Sequence, residues 1–123
     1  MHVFVTGASG WIGSATVDEL LAAGHEVTGL ARSDTSAAAL QAKGVVVRRG
    51  DLDDLDSIRA GATEADAVIH LANKHDWSNP AASGAAERAA VQTIGDALID
   101  TGRPFLLAAG TAGLAQGRPA TED

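Results

Sequence analysis

The sequence predicts an α/β domain built on a parallel β-sheet. Short apolar runs, several of them rich in valine, alternate along the chain with longer alanine-rich segments that have helical periodicity. A turn with three glycines separates the first apolar run from the first helical segment. Because strands that alternate with helices pair in parallel through right-handed crossovers, we expect a doubly wound sheet with the strand order 3-2-1-4-5.

Composition places the chain among globular proteins. Its 123 residues are 46% apolar and 20% charged, a balance that suits one folded domain spanning residues 1–123. The formal net charge is −7, and such an acidic surface disfavours nucleic-acid and membrane partners. The sequence has no cysteine, which excludes disulfides and cysteine-ligated metals. It shows neither a signal peptide nor a membrane-spanning run, so we expect a cytoplasmic protein.

The individual elements follow from periodicity and from residues that start or stop helices. Strands are predicted at 2–6, 26–31, 45–48, 67–71 and 104–109. Helices are predicted at 11–23, 35–43, 51–61 and 80–101. Gly24 and Gly44 are expected to end the first two helices, and Asp53 or Asp54 to cap the third. Residues 110–123 lack periodicity and are expected to form a loop.

The glycine-rich turn carries the clearest chemical signal. Gly7, Gly10 and Gly13 lie directly after a strand and directly before a helix, which is the setting of a phosphate-binding loop. Gly7 permits the tight turn, Gly10 lets a pyrophosphate approach the backbone, and Gly13 lets the helix pack closely on the strand. N–H groups at the helix N-terminus would bind the anion without a basic side chain. The alternative is a glycine turn without a ligand.

Three neighbours of these glycines, Ser9, Trp11 and Ile12, are assigned to the same cofactor site. Trp11 has two interpretations: a lid over the pyrophosphate, or a side chain that packs at the start of the helix. Packing is the favoured interpretation.

The spacing Gly-x-x-Gly-x-x-Gly after Val-x-Val-Thr resembles the short-chain dehydrogenase/reductase superfamily, in the extended and atypical branch of epimerases, dehydratases and related reductases. Gly50-Asp51-Leu52 is similar to a family segment whose Asp accepts a hydrogen bond from the adenine amino group. The resemblance therefore implies a Rossmann-type domain that binds NAD(P), with Asp51 and Leu52 at the adenine.

Two later segments extend this resemblance over nearly the whole chain. Residues 68–72 are similar to the family strand that passes beside the nicotinamide-side ribose, which implies cofactor contacts from Leu71, Ala72 and Asn73. Residues 105–111 are similar to the family's fifth strand and active-site turn.

The end of the second predicted strand bears on the choice of cofactor. An NAD-specific site usually has an acidic residue there, to accept from the ribose 2′-hydroxyl. This chain has Arg32 followed by Ser33, and a guanidinium and a hydroxyl can both donate to a 2′-phosphate. The favoured cofactor is therefore NADP. Because Asp34 is nearby, NAD is the alternative cofactor. The other interpretation of Arg32 is a solvated surface residue.

Catalysis in the family is assisted by a Tyr-x-x-x-Lys pair and a nearby Ser or Thr. This sequence contains no tyrosine. Either it is the N-terminal part of a longer protein, which we favour because a free last strand would be open to pairing, or it is a short relative without this chemistry. Thr111 is the candidate for polarising a substrate carbonyl; a loop hydroxyl that bonds to backbone is the alternative.

The remaining polar residues are assigned to structure. His70 lies in a buried strand and is expected to be a satisfied core histidine, and His75 and Asp76 to lie in a solvated loop, with substrate contact as the alternative. No acidic or histidine spacing indicates a metal site. The family often dimerises through helices beside the sheet, so the resemblance leaves a homodimer formed through the last helix as one interpretation.

The favoured function is an NAD(P)-dependent oxidoreductase or epimerase/dehydratase-like enzyme that acts on a small molecule, with this chain as its cofactor-binding part. A non-catalytic NAD(P)-binding sensor and an interaction domain with an empty loop are the alternatives, because a fold alone does not define a function.

Overall fold

Strands and helices alternate along the part of the chain that this computed structural model describes, residues 1–72 and 80–107. In chain order the elements are β1 (His2–Thr6), α1 (Trp11–Ala22), β2 (Glu26–Ala31), α2 (Asp34–Ala42), β3 (Val46–Arg49), α3 (Leu55–Glu64), β4 (Ala67–His70), α4 (Pro80–Leu98) and β5 (Phe105–Leu107). All pairings are parallel, and the strand order β3-β2-β1-β4-β5 confirms the prediction.

The central strand β1 is buried on both faces, which explains its uninterrupted apolar run. Val3 and Val5 face a core formed with α1 and α2, whereas Phe4 faces a second core formed with α3 and α4. Phe4 and Val5 are fully buried, and Val3 is 2% exposed. The sheet therefore separates two helical layers, and the carboxyl end of β1 lies at the centre of one sheet edge.

The third helix begins and ends later than predicted: it runs from Leu55 to Glu64, whereas residues 51–61 were expected. A Cβ atom at Gly61 would lie 2.5 Å from Cζ of Phe4. Gly61 is thus the point where α3 lies directly against the Phe4 ring, and the helix runs on to Glu64. The predicted helix end at Gly61 was wrong because this glycine serves close packing and not chain reversal.

Strand β3 begins and ends one residue later than predicted. Arg49 is its last residue and pairs with Ala31, the last residue of β2. Because side chains alternate between the faces of a strand, this register places Arg48 and Arg49 on opposite faces. Asp54 caps α3, as one of the two sequence alternatives proposed.

Candidate functional site

The glycine turn after β1 is closed by close backbone approaches. Gly7 has a φ of +68°, and the N–H of Gly10 donates to the carbonyl oxygen of Gly7 at 3.1 Å. A Cβ atom at Gly13 would lie only 1.8 Å from that same oxygen. Gly7 therefore allows the turn, and Gly13 lets α1 rest directly on it, which are the roles expected from the sequence.

The N-terminus of α1 is open to an anion. Its N-cap is Gly10, which has no side chain to satisfy the N–H groups of the first turn, and no described side chain caps this end. An uncapped helix N-terminus presents N–H donors and the positive end of the helix dipole. The turn thus has the backbone donors that a pyrophosphate needs, without any charged side chain.

Ser9, Trp11 and Ile12 are exposed around this helix end. Trp11 is 95% exposed and Ile12 is 66% exposed. The expectation that Trp11 packs at the start of the helix was wrong, because its side chain points away from the described core. The other interpretation, a side chain that covers a bound pyrophosphate, stays a prediction.

Thr6 joins the end of β1 to the turn that follows β4. Its buried Oγ1 accepts hydrogen bonds from the backbone N–H groups of Leu71, at 3.1 Å, and of Ala72, at 3.2 Å. A Cβ atom at Gly7 would lie 2.7 Å from the backbone of both residues. The glycine turn and the residues predicted to line the cofactor therefore meet where the strand order reverses, the usual ligand position in such sheets.

His70 is a buried core histidine with two partners, as expected. Its Nδ1 lies 2.6 Å from Thr6 Oγ1, and its Nε2 lies 3.1 Å from Oε1 of Glu87 on α4. Since Thr6 Oγ1 already accepts two N–H groups, its own proton is donated to Nδ1. Nε2 then carries a ring proton and donates it to Glu87, and this contact joins α4 to the sheet.

Arg32 lies at the end of β2 with an exposed side chain, and no described residue forms a hydrogen bond or ion pair with its guanidinium. Ser33 is the N-cap of α2: its Oγ accepts from the Ser36 N–H and donates to Ser36 Oγ. Asp34 pairs with Arg49, whose Nη1 lies 2.8 Å from its Oδ1. Arg32 is thus a donor without a described partner at this corner, while Ser33 already has a structural role.

The turn after β3 orients the carboxylate of Asp51. Its Oδ1 accepts from the backbone N–H groups of Asp53, at 2.8 Å, and Asp54, at 3.1 Å. Asp51 is exposed, so its other oxygen can face a ligand. Leu52 is only 8% exposed and belongs to the core beside α3. A contact between Leu52 and a cofactor would therefore come from its backbone.

Several predicted positions, Asn73, His75, Asp76 and Thr111, lie outside the described residues. Within residues 1–72 and 80–107, no group of three histidine or acidic side chains is placed to hold a metal ion. In the same ranges, no helix has the length and apolar character needed to cross a membrane.

Sequence reasoning missed Arg49 and Thr6. Two successive arginines before Gly50-Asp51 were a usable signal, since their side chains had to lie on opposite faces of the sheet. For Thr6, the signal was a hydroxyl at the last position of an otherwise apolar central strand.

The sheet order and the glycine turn together define a nucleotide-binding domain of the Rossmann type. The family model "NAD dependent epimerase/dehydratase family" matches residues 3–122, and the chain belongs to this family.

Relatives and solved structures agree with this assignment. An uncharacterized protein of Saccharomyces cerevisiae, YLL056C, is 44% identical over 124 residues, which cover 99% of this chain and 42% of the yeast protein. A short-chain dehydrogenase/reductase superfamily protein from Agrobacterium tumefaciens with bound NAD has a TM-score of 0.73 at 24% identity, covering 90% of this chain and 33% of that one. The yeast methylglyoxal/isovaleraldehyde reductase Gre2 with NADPH has a TM-score of 0.69 at 25% identity, covering 90% and 37%.

Proposed function

We propose that this chain is the NADP-binding part of an oxidoreductase, of reductase or epimerase/dehydratase type, that acts on a small molecule in the cytoplasm. The chain spans 42% of the length of the yeast relative, so activity and substrate belong to the proposal. The observation that carries it is the open N-terminus of α1, which follows a glycine turn that lies against Leu71 and Ala72, directly after β4.

The residues present fit a dinucleotide in three places. The glycine turn leaves its backbone donors accessible, and the absence of a Cβ at Gly10 lets a pyrophosphate come close. Asp51 offers a carboxylate oxygen at the adenine end of the sheet edge. Leu71 and Ala72 lie beside the turn at the nicotinamide end. When bound, the cofactor supplies or accepts a hydride, while these residues orient it.

Arg32 supports NADP over NAD. Its guanidinium is exposed and has no described partner at the position where an NAD-binding domain usually has a carboxylate. Asp34, two residues further along the chain, is paired with Arg49. A 2′-phosphate at this corner would therefore meet a free cation, whereas a 2′-hydroxyl would lack its usual acceptor. Gre2 was solved with NADPH and the Agrobacterium protein with NAD, so the family fold accommodates both cofactors.

This chain supplies only some of the catalytic groups that the proposed reaction needs. Thr111 is proposed to polarise a substrate carbonyl through its hydroxyl, as expected from the sequence. The sequence has no tyrosine to serve as the family's general acid or base, so proton transfer is not assigned to any residue of this chain.

Calorimetric titration of the purified chain with NADPH and NADH tests the proposal. We expect NADPH to bind more tightly, and Arg32→Ala to weaken NADPH binding about tenfold while changing NADH binding little. Arg59→Ala is the matched control, because Arg59 is an exposed arginine on α3 that pairs with Asp56. Failure of both nucleotides to bind would overturn the cofactor proposal, and tighter binding of NADH would overturn the choice of NADP.

A further inference from the structure

Arg49 extends from the edge strand β3 across to the end of β2. Its Nη2 donates to the backbone carbonyl of Arg32 at 3.4 Å, and its Nη1 pairs with Asp34 Oδ1 at 2.8 Å. Its side chain remains 53% exposed. Because it touches the backbone carbonyl of Arg32, the Arg49 guanidinium lies at the corner of the sheet from which the Arg32 side chain extends.

The preceding residue, Arg48, has a different environment on the opposite face. Its Nη2 lies 2.7 Å from Oε2 of Glu64 on α3, and its side chain is 27% exposed. The pairing of Arg48 with Leu30 and of Arg49 with Ala31 fixes this alternation. Two arginines adjacent in sequence therefore differ in which ligand they can reach.

We propose that Arg49 is a second ligand of the NADP 2′-phosphate and that it exchanges Asp34 for the phosphate when NADP binds. This inference rests on the proposed function, since it assigns a further residue to the same cofactor. Guanidinium groups donate two parallel hydrogen bonds to a phosphate, which makes them its preferred partners. The exchange is inexpensive because exposed ion pairs are weak and the Asp34 side chain, 98% exposed, can turn into water.

The ion pair with Asp34 gives Arg49 a second effect on the choice between NADP and NAD. In the free protein, Arg49 occupies Oδ1 of Asp34 and offsets its charge, which makes this carboxylate a weaker acceptor for a ribose hydroxyl. Removing Arg49 deletes one phosphate donor and also frees an acceptor suited to the 2′-hydroxyl of NAD. Arg49 is thus a specificity-determining residue whose loss shifts the preference from NADP towards NAD.

The experiment compares Arg49→Gln with Arg48→Gln, which removes the same charge from the opposite face of the same strand. Binding of adenosine 2′,5′-bisphosphate, adenosine 5′-phosphate, NADPH and NADH to the full chain is measured by calorimetry. We expect Arg49→Gln to weaken both 2′-phosphorylated ligands about tenfold and to leave the other two unchanged or tighter. We expect Arg48→Gln to change the ratio of the affinities for ligands with and without a 2′-phosphate by less than twofold, because solvent ions screen a surface charge at that distance.

Two further variants make the result specific. Arg49→Lys keeps the charge but loses the paired donors, so we expect it to recover only part of the preference for the 2′-phosphate. Asp34→Asn should strengthen binding of the bisphosphate and should abolish any gain in NADH binding caused by Arg49→Gln. Binding of adenosine 5′-phosphate reports that each variant is folded.

The outcomes separate this inference from the proposed function. If Arg49→Gln and Arg48→Gln reduce bisphosphate binding equally, or if neither does, while Arg32→Ala remains selective, the role of Arg49 is overturned and the NADP site stands. If the parent chain binds none of the four nucleotides, the proposed function and this inference both fail.

Discussion

The hydroxyl oxygen of Thr6 lies 2.6 Å from Nδ1 of His70, and it also accepts the backbone N–H groups of Leu71 and Ala72. One buried side chain at the end of β1 thus satisfies two donors of the turn after β4 and fixes the tautomer of a histidine. The arrangement makes Thr6 a positioning residue: it holds the two sides of the proposed cofactor cleft together without facing the cleft.

Thr6→Val replaces this hydroxyl by a methyl group of similar size. We expect a loss of about 1–3 kcal/mol in the free energy of unfolding, because the Ala72 N–H and the His70 ring lose their partner in a buried place. Urea unfolding followed by circular dichroism measures the change. Thr16→Val is the control, since within the described part of the chain the Thr16 hydroxyl bonds only to the Ile12 carbonyl of its own helix, and a change within about 0.5 kcal/mol is expected there. Equal losses for both variants would contradict the role of Thr6.

Gly13→Ala tests the contact between α1 and the glycine turn. The added Cβ would lie 1.8 Å from the carbonyl oxygen of Gly7, and neither backbone atom can move without displacing the turn. We expect a loss of about 1–3 kcal/mol in stability and loss of NADPH binding. Gly95→Ala is the control: it lies in α4 with open space around it, and a gain of about 0.5–1 kcal/mol is expected. A Gly13→Ala protein with normal stability and binding would refute the close contact.

Gly61→Ala tests the contact between α3 and the ring of Phe4. The nearest ring atom would lie 2.5 Å from the new Cβ, and Phe4 is fully buried in the centre of the sheet. Overpacking of this kind should lower the free energy of unfolding by about 1–3 kcal/mol. Gly84→Ala, in open space on α4, is the matched control. Thermal denaturation of both variants measures the difference in stability. If Gly61→Ala were as stable as Gly84→Ala, α3 could not lie as close to Phe4 as described.

Asp54 gives the chain a predictable response to acid. Hydrogen bonds from the Ser57 hydroxyl and backbone N–H hold the pKa of Asp54 below its usual value. A carboxyl whose pKa is lower in the folded than in the unfolded state stabilises the fold above its unfolded pKa of about 3.9. This stabilisation is lost as the pH falls through the lower folded pKa.

The variant Asp54→Asn keeps a capping oxygen but cannot titrate. We therefore expect the melting temperature of the parent to fall more steeply below about pH 4 than that of Asp54→Asn. Glu19→Gln, which removes an exposed carboxylate of α1, should leave the steepness of the parent unchanged. Parallel pH curves for parent and Asp54→Asn would show that this cap does not contribute to acid sensitivity.

The sheet order and the glycine turn could be predicted because their signals are local. The apolar run of β1 and the glycines that follow it are adjacent in sequence, and alternation with helices then restricts the topology. The same reason made it possible to predict Asp54 as a cap and Arg32 at the end of β2. Each of these features depends on the order of residues within one short segment.

The features that could not be predicted depend on contacts between distant segments. A glycine that ends a helix and a glycine that lies under an aromatic ring look alike in sequence, so the role of Gly61 required knowledge of where Phe4 lies. The side of β3 that Arg49 occupies depends on a register that is sensitive to a shift of one residue. The exposure of Trp11 likewise depends on which elements surround the start of α1.

The exposure of Trp11 has an optical consequence. Its indole stands in solvent at the helix end where the pyrophosphate is proposed to bind, and the sequence holds no tyrosine and only one other tryptophan. Replacing Trp77 by phenylalanine would leave Trp11 as the single tryptophan of the chain. The emission of that fluorophore overlaps the absorption of the reduced nicotinamide ring, so energy transfer from Trp11 would report the arrival of the reduced cofactor without any added label.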